Sequence, residues 1–148
     1  MTYTIIIDQK TMKDYEVDYF LTNIRARVFP NYFKRPIPPS LNKFTALKRM
    51  TQNAMKQKYK QFAIWLIKEN NLDNKNFEKI EMSYKLDFSN NRRRDTENYL
   101  LAPKFLNDGF VEAGLISDDH AGIFTLKFEP IQLGCKEEKM IIEINVLS

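Results

Sequence analysis

The clearest pattern in this chain is a strict alternation of apolar and polar side chains over residues 80–88. The apolar members are Ile80, Met82, Tyr84, Leu86 and Phe88, and the polar members between them are Glu81, Ser83, Lys85 and Asp87. Because successive side chains of a strand point to opposite faces, this alternation predicts a strand with one buried face. Residues 2–7, 123–129 and 140–147 predict further strands. We expect the last two to form a hairpin across the polar turn at residues 134–139.

The stretch from residue 15 to residue 29 is rich in aromatic and β-branched side chains and predicts additional strand structure. In its last part, Ile24, Ala26 and Val28 alternate with Arg25 and Arg27, so that one side could face a core and the other could face solvent or an anion. Residues 1–23 are therefore expected to add an N-terminal strand extension. Over residues 30–40, four prolines exclude a regular helix and predict a stiff, extended connection.

Two segments have helical character. The first is predicted to run from a cap at Ser40 or Asn42 to about Glu69, with one buried stripe made of Met55, Tyr59, Phe62, Ala63, Leu66 and Ile67. The rest of its surface is basic and forms either a solvated face or a track for a DNA backbone. That surface carries Lys48, Arg49, Lys56, Lys58 and Lys60. The second helix should begin at or before Pro103 and end near Gly114, burying Phe105, Leu106, Phe110 and Val111.

These elements predict one α+β domain over residues 1–148, with two main helices packed on one face of a mixed sheet. The 43% hydrophobic and 28% charged residues are typical of a globular protein, and the net charge of +4 permits a polyanionic partner without requiring one. Cys135 is the only cysteine, so an internal disulfide is excluded. We find no signal peptide or apolar membrane segment, and we expect a soluble, cytoplasmic protein.

Residues 91–98 concentrate charge directly after the predicted strand. Arg92, Arg93 and Arg94 precede Asp95 and Glu97, whose side chains share one side of an extended segment because they are two residues apart. Carboxylates brought close together repel each other unless a cation lies among them, and oxygen-only ligands suit magnesium or manganese. Arginine forks pair with phosphate oxygens. The segment therefore predicts metal-assisted phosphodiester chemistry.

Further charged residues could complete such a site. Asp118 and Asp119 are adjacent, so in an extended segment only one of them can join the cluster, and we predict that Asp119 is the ligand and Asp118 its neighbour. Lys104 and Asp108 are one helical turn apart and share a face. If the helix face that carries Lys104 and Asp108 is turned toward Glu97, the Lys104 ammonium group would lie beside the proposed metal ion.

Each of these features also has a purely structural interpretation. Asp-x-Glu pairs are common in proteins, and the three arginines could belong to a solvated turn. Lys104 and Asp108 could form an ordinary surface ion pair, which contributes little to stability. The spacing of the acids alone therefore does not establish a metal site.

Taken jointly, the motifs resemble the RusA-type Holliday junction resolvases. The resemblance rests on Arg92-Arg93-Arg94-Asp95-Thr96-Glu97-Asn98, on Lys104-x3-Asp108, and on Glu112-Ala113-Gly114-Leu115-Ile116-Ser117-Asp118-Asp119. Residues 38–43, Pro-Pro-Ser-Leu-Asn-Lys, are similar to the proline-rich, asparagine-bearing segment that precedes the family's first helix. The resemblance covers about residues 24–146.

This resemblance implies a RusA-like fold and a homodimeric, magnesium-dependent endonuclease, often of phage or prophage origin, that cuts four-way DNA junctions in recombination and repair. By position, the metal ligands would be Asp95, Glu97 and Asp119, with Asp118 adjacent. The essential lysine would be Lys104. The DNA path would include Asn42, Lys43, Arg92, Arg93 and Arg94.

The chain departs from the family pattern at two places. Glu97 stands where aspartate is usual, and the stretch between Asn98 and Lys104 is longer than in the shortest members. The longer side chain moves the carboxylate outward and could alter metal geometry. Two other interpretations therefore stay open: a non-catalytic DNA-binding protein on the same scaffold, and an interaction protein whose basic helix contacts another protein.

Overall fold

The computed structural model describes residues 1–118, 120 and 122–148. One mixed sheet contains the strands β1 (Thr2–Ile7), β2 (Ile80–Asp87), β3 (Phe124–Phe128) and β4 (Lys139–Val146). Their spatial order is β1-β4-β2-β3. Strand β4 runs antiparallel to both of its neighbours, whereas β2 and β3 are parallel. The α+β class and the mixed sheet predicted from the sequence are confirmed.

The predicted hairpin between the last two strands is wrong. Strand β4 lies between β1 and β2, where Ile142 is the partner of both Ile5 and Tyr84. Its buried residues Met140, Ile142 and Ile144 explain this central place, because a strand with so many apolar side chains is better buried between two strands than left at an edge. Strand β3 has only exposed and half-buried residues, and it forms an edge.

Residues 15–29 are not strands, which corrects a second prediction. Helix α1 (Gln9–Thr22) begins after Asp8, whose carboxylate accepts the Thr11 amide at 3.0 Å while the Thr11 hydroxyl accepts the Asp8 amide at 3.2 Å. This reciprocal cap starts a helix, and Met12, Tyr15 and Tyr19 then fall on one buried face. Residues 24–28 are irregular and largely exposed. The segment 1–23 thus contributes one strand, β1, at the edge of the sheet, and it continues into a third long helix.

The long predicted helix is two helices. Helix α2 (Leu41–Thr45) is capped by Ser40, whose hydroxyl accepts the Lys43 amide at 3.4 Å, and α3 (Arg49–Glu69) begins after an extended Lys48. The side chain of Gln52 stabilises the break, because its amide donates to the carbonyls of Phe44 and Leu47 at 3.1 and 3.2 Å. The predicted end at Glu69 and the predicted buried stripe are confirmed.

Helix α4 (Leu101–Glu112) follows the predicted bounds and is succeeded by Gly114, whose φ of +82° suits glycine. It packs closely on α3, since a Cβ added to Gly109 would lie 2.5 Å from the backbone oxygen of Lys60. It also reaches the buried face of the sheet, where the Tyr84 hydroxyl donates to Asn107 at 3.1 Å. Of its predicted core residues, Phe105, Leu106 and Phe110 are buried and Val111 is half-buried.

Helix α1 completes the core from the other side of α3. Tyr15 contacts Phe62 with ring centres 4.8 Å apart, and the indole of Trp65 donates to Asp18 at 2.7 Å. Trp65 therefore lies at the interface between α1 and α3. Within the described residues, none of the helices has the length and apolar character needed to cross a bilayer.

Candidate nucleic-acid interface

The arginine segment is held in place by the end of strand β2. Phe88 continues the sheet beyond the strand: its amide donates to the Gln132 carbonyl, and its own carbonyl accepts the Cys135 amide, both at 2.9 Å. Two residues later, the Asn90 side chain accepts the Arg92 amide at 3.1 Å and turns the chain. The segment after β2 is therefore ordered by hydrogen bonds to the sheet and to its own side chains.

Arg94 has a structural environment that the other two arginines lack. Its guanidinium carbon lies 3.9 Å from the centre of the Phe88 ring, and its Nη1 donates to Asn90 at 2.9 Å and to the Arg92 carbonyl at 3.2 Å. Arg94 is half-buried, whereas the Arg93 side chain is 94% exposed. Arg94 thus braces the segment from which Arg92 and Arg93 project.

The proline-rich segment forms the opposite wall. It is less extended than predicted, because residues Asn31–Lys34 form a 3₁₀ turn, but Ile37 and Pro38 are buried and anchor it to the domain. Arg35 reaches across to Glu138 with a hydrogen bond of 2.8 Å. This hydrogen bond and the negative charge of Glu138 raise the pKa of Arg35, so the guanidinium stays charged.

Between these walls lies a cleft of about 480 Å³, which we call the basic cleft. Its charged lining consists of Arg35, Lys43, Arg92, Arg93, Arg94 and Glu138. The only acid among these lining residues, Glu138, is already paired with Arg35. Four of the five residues predicted for the DNA path therefore line one surface. The fifth, Asn42, is exposed on α2 next to Lys43.

Two of the predicted acids lie beside this cleft. Asp95 precedes the 3₁₀ turn Thr96–Tyr99, which carries Glu97, and this turn contacts helix α2. Both acids are exposed, and one Asp95 oxygen lies 4.0 Å from Nε of Arg93. Exposed carboxylates next to guanidinium groups can accept a metal ion where DNA phosphates are bound, and carboxylate oxygen is the donor that magnesium prefers.

The other predicted residues are placed along α4 and after it. Lys104 and Asp108 are exposed one turn apart, and Asp108 shares a second, shallow cavity of about 310 Å³ with Asp118 and Lys60. Asp119, the predicted third ligand, lies outside the described residues. In the described part of the chain, no group of three or more histidine, cysteine, aspartate or glutamate side chains is arranged to hold a metal ion.

Comparison with known proteins does not supply a family. No protein-family model matches the chain, and no curated protein matches it significantly.

Arg35 and Tyr32 are two of the cleft-lining residues that no sequence pattern indicated. Arg35 stands among the prolines, and its partner Glu138 is 103 positions away, so no local pattern links them. Tyr32 also lines the basic cleft. The available signal was proximity to Asn42 and Lys43, the two residues of the neighbouring segment that are predicted for the DNA path.

Proposed function

We propose that this protein is a metal-dependent endodeoxyribonuclease that binds branched DNA and hydrolyses phosphodiester bonds at four-way junctions. The observation that carries the proposal is the basic cleft, in which Lys43 from one segment meets Arg92 and Arg93 from another. The exposed cations Lys43, Arg92 and Arg93 suit a polyanionic backbone, because each of them can replace a counterion of a phosphate.

The placement of Asp95 and Glu97 beside the cleft supports the hydrolytic part of the proposal. These two carboxylates supply oxygen donors for magnesium or manganese, and the sequence assigns the third donor to Asp119. A bound divalent ion would supply a more acidic water and charge neutralisation at the scissile phosphate. The protein's own contribution would be to position the strand on Arg92, Arg93 and Lys43, with the two carboxylates beside it. Lys104 adds positive charge on the exposed face of α4.

The direct test is cleavage of a synthetic four-way junction with magnesium or manganese, compared between the wild type and Asp95→Asn, Glu97→Gln and Asp119→Asn. We expect specific cuts by the wild type and at least a hundredfold loss of rate, about 3 kcal/mol of transition-state stabilisation, in each acid variant. Junction affinity should persist in all three variants. Magnesium-dependent cuts that are equally fast in Asp95→Asn would refute the role of this residue.

A second candidate is a non-catalytic protein that binds branched DNA. It is favoured by Glu97 in the position of an aspartate and by the cleft itself, whose lining includes neither Asp95 nor Glu97. Under this alternative the wild type binds the junction and never cuts it with any divalent ion. A manganese titration separates the two candidates. If the protein is a nuclease, the wild type should bind manganese and Asp95→Asn should bind it more weakly.

We further propose that the protein is a homodimer and that it is located in the cytoplasm. A four-way junction has two-fold symmetry, so paired cuts are naturally made by a symmetric homodimer. We place the protein in the cytoplasm, where Cys135 would stay reduced. Analytical ultracentrifugation with and without junction DNA tests the dimer, and a monomer in the cleavage-competent complex would contradict it.

A further inference from the structure

A stack of three aromatic rings runs from the protein core to the surface at the basic cleft. Phe105 of α4 and Tyr59 of α3 are both buried, and their rings are nearly parallel, with 7° between planes and centres 5.1 Å apart. Tyr32 continues the stack on Tyr59, with centres 5.4 Å apart and 29° between planes. Tyr32 is half-buried, so it is the solvent-accessible end of the column.

The Tyr32 ring is held in place by its neighbours. Its backbone carbonyl accepts the buried Tyr59 hydroxyl at 3.4 Å, and its ring also meets Phe33, which is fully buried, edge to face at 4.8 Å. A ring packed on one side by other rings has little rotamer freedom to lose when a ligand covers its other side. Burial raises the pKa of Tyr32 to about 12, so its phenol stays neutral near phosphates at neutral pH.

Tyr32 also joins two concave surfaces. It lines the basic cleft, and it lines a neighbouring groove of about 430 Å³ that we call the apolar groove. The apolar groove is formed by Val28, Pro30, Tyr32, Met50, Thr51, Ala54 and Lys58. Val28 is 74% exposed and Met50 is 86% exposed, which leaves an apolar surface directly beside a strongly cationic one. Unpaired nucleotides combine these two characters, because each has a flat apolar base and a charged phosphate.

We propose that Tyr32 is a stacking platform for an unpaired nucleobase of the DNA strand whose phosphates lie on Arg92, Arg93 and Lys43. This inference rests on the proposed DNA binding and narrows its substrate to DNA that presents an unpaired base, as at a branch point or a single-stranded segment. Both concavities have the size of small-ligand sites, roughly 300–1,000 Å³, which suits one or two nucleotides. In a duplex the bases already stack on each other and are not available to the ring.

The first experiment measures affinity for a four-way junction, a single strand and a fully paired duplex. Tyr32→Leu should weaken binding of the single strand and of the junction about tenfold and leave the duplex unchanged, and Tyr32→Phe should bind all three DNAs like the wild type. Tyr3→Leu is the matched control, since Tyr3 is also half-buried and stacked, on Phe77 at 5.9 Å, but lines neither concavity. An equal loss for duplex and single strand in Tyr32→Leu would overturn the proposal.

The second experiment uses the wild-type protein and does not depend on how a variant folds. A strand carrying 5-iodouracil at an unpaired position is irradiated in complex with the protein, and the adduct is mapped by peptide mass spectrometry. We expect the adduct at Tyr32, and only when the iodouracil is unpaired. An adduct confined to residues outside the two concavities would overturn the inference.

A third comparison separates failure of this inference from failure of the proposed function. The double variant Arg92→Ala/Arg93→Ala should lose affinity for all three DNAs, because it removes phosphate contacts that do not depend on base pairing. If this variant binds every DNA like the wild type, the basic cleft is not the DNA site and both proposals fail. If it loses all binding while Tyr32→Leu changes nothing, only the stacking platform is refuted.

Discussion

The guanidinium of Arg94 lies face-on to Phe88, 3.9 Å from the ring centre, at the point where strand β2 passes into the basic cleft. Phe88 is buried, and both its amide and its carbonyl form hydrogen bonds, to Gln132 and Cys135 respectively. The contact therefore ties the run of three arginines to the sheet. It also divides their roles, because Arg94 stabilises the segment while Arg92 and Arg93 remain available for a ligand.

We predict that Arg94→Ala lowers the free energy of unfolding by about 1–2 kcal/mol, through loss of the cation–π contact and of the hydrogen bond to Asn90. Arg94→Lys should restore little of this, since an ammonium group lacks the planar fork that stacks and donates at once. Arg93→Ala is the matched control and should stay within about 0.5 kcal/mol of the wild type. Urea denaturation measures the free energy of unfolding of all three variants. An equal decrease for Arg93→Ala and Arg94→Ala would contradict the division of roles.

The salt dependence of DNA affinity measures how many cations of the basic cleft contact phosphates. Arg92→Ala and Arg93→Ala should each reduce the slope of log K against log salt by about 1, because each removes one phosphate contact. Lys13→Ala removes a cation that is also exposed but does not line the cleft, and it should leave the slope unchanged. Fluorescence anisotropy over a salt series measures the slopes. Equal slopes for the wild type and Arg93→Ala would show that Arg93 meets no phosphate.

Gly109 should be intolerant of any side chain. A Cβ at this position would lie 2.5 Å from both the Ala63 Cβ and the Lys60 carbonyl oxygen, which is backbone and cannot rotate away. We expect Gly109→Ala to lower the unfolding free energy by about 2 kcal/mol, although alanine favours a helix by about 1 kcal/mol, because the α3–α4 contact must open. Lys104→Ala, on the exposed face of the same helix, should change it by less than about 0.5 kcal/mol. Thermal and urea unfolding distinguish the two, and a stable Gly109→Ala would show that the helices can separate at no cost.

Asp8 makes the start of α1 sensitive to acid. The backbone amide of Thr11 lowers the pKa of Asp8 below its ordinary value of 3.8. Since the folded-state pKa is the lower one, the cap's full contribution is present above pH 3.8 and is lost as the pH falls through the folded-state value. Asp8→Asn should therefore have a flatter stability profile than the wild type below about pH 4, measured by urea unfolding from pH 6 to pH 2.5. Asp8→Ala should cost about 1 kcal/mol at neutral pH.

Several parts of the fold were predictable because their signal is local. The alternation around Met82 and Tyr84 predicted β2, and the three- and four-residue spacing of Tyr59, Phe62 and Leu66 predicted the buried face of α3. Pro103 and Gly114 marked the ends of α4. The same local reasoning failed for α1, because aromatic and β-branched side chains suit both strands and amphipathic helices, and the capping box of Asp8 and Thr11 was not recognised.

The candidate site likewise has parts that a local sequence signal predicted and parts that it did not. The sequence alone determined that arginines and acids follow the strand ending at Asp87, and that Lys43 follows a proline-rich segment, since these are relations between near neighbours. Only the tertiary structure decided that the two segments face each other, that Arg35 pairs with Glu138, and that Tyr32 ends a stack begun by Phe105. Strand order was also a tertiary outcome, because β4 is placed by partners far away in the chain. Contacts at such separations arise from mutual burial of whole surfaces, and the periodicity of a single sequence indicates which face is buried but not which distant segment covers it.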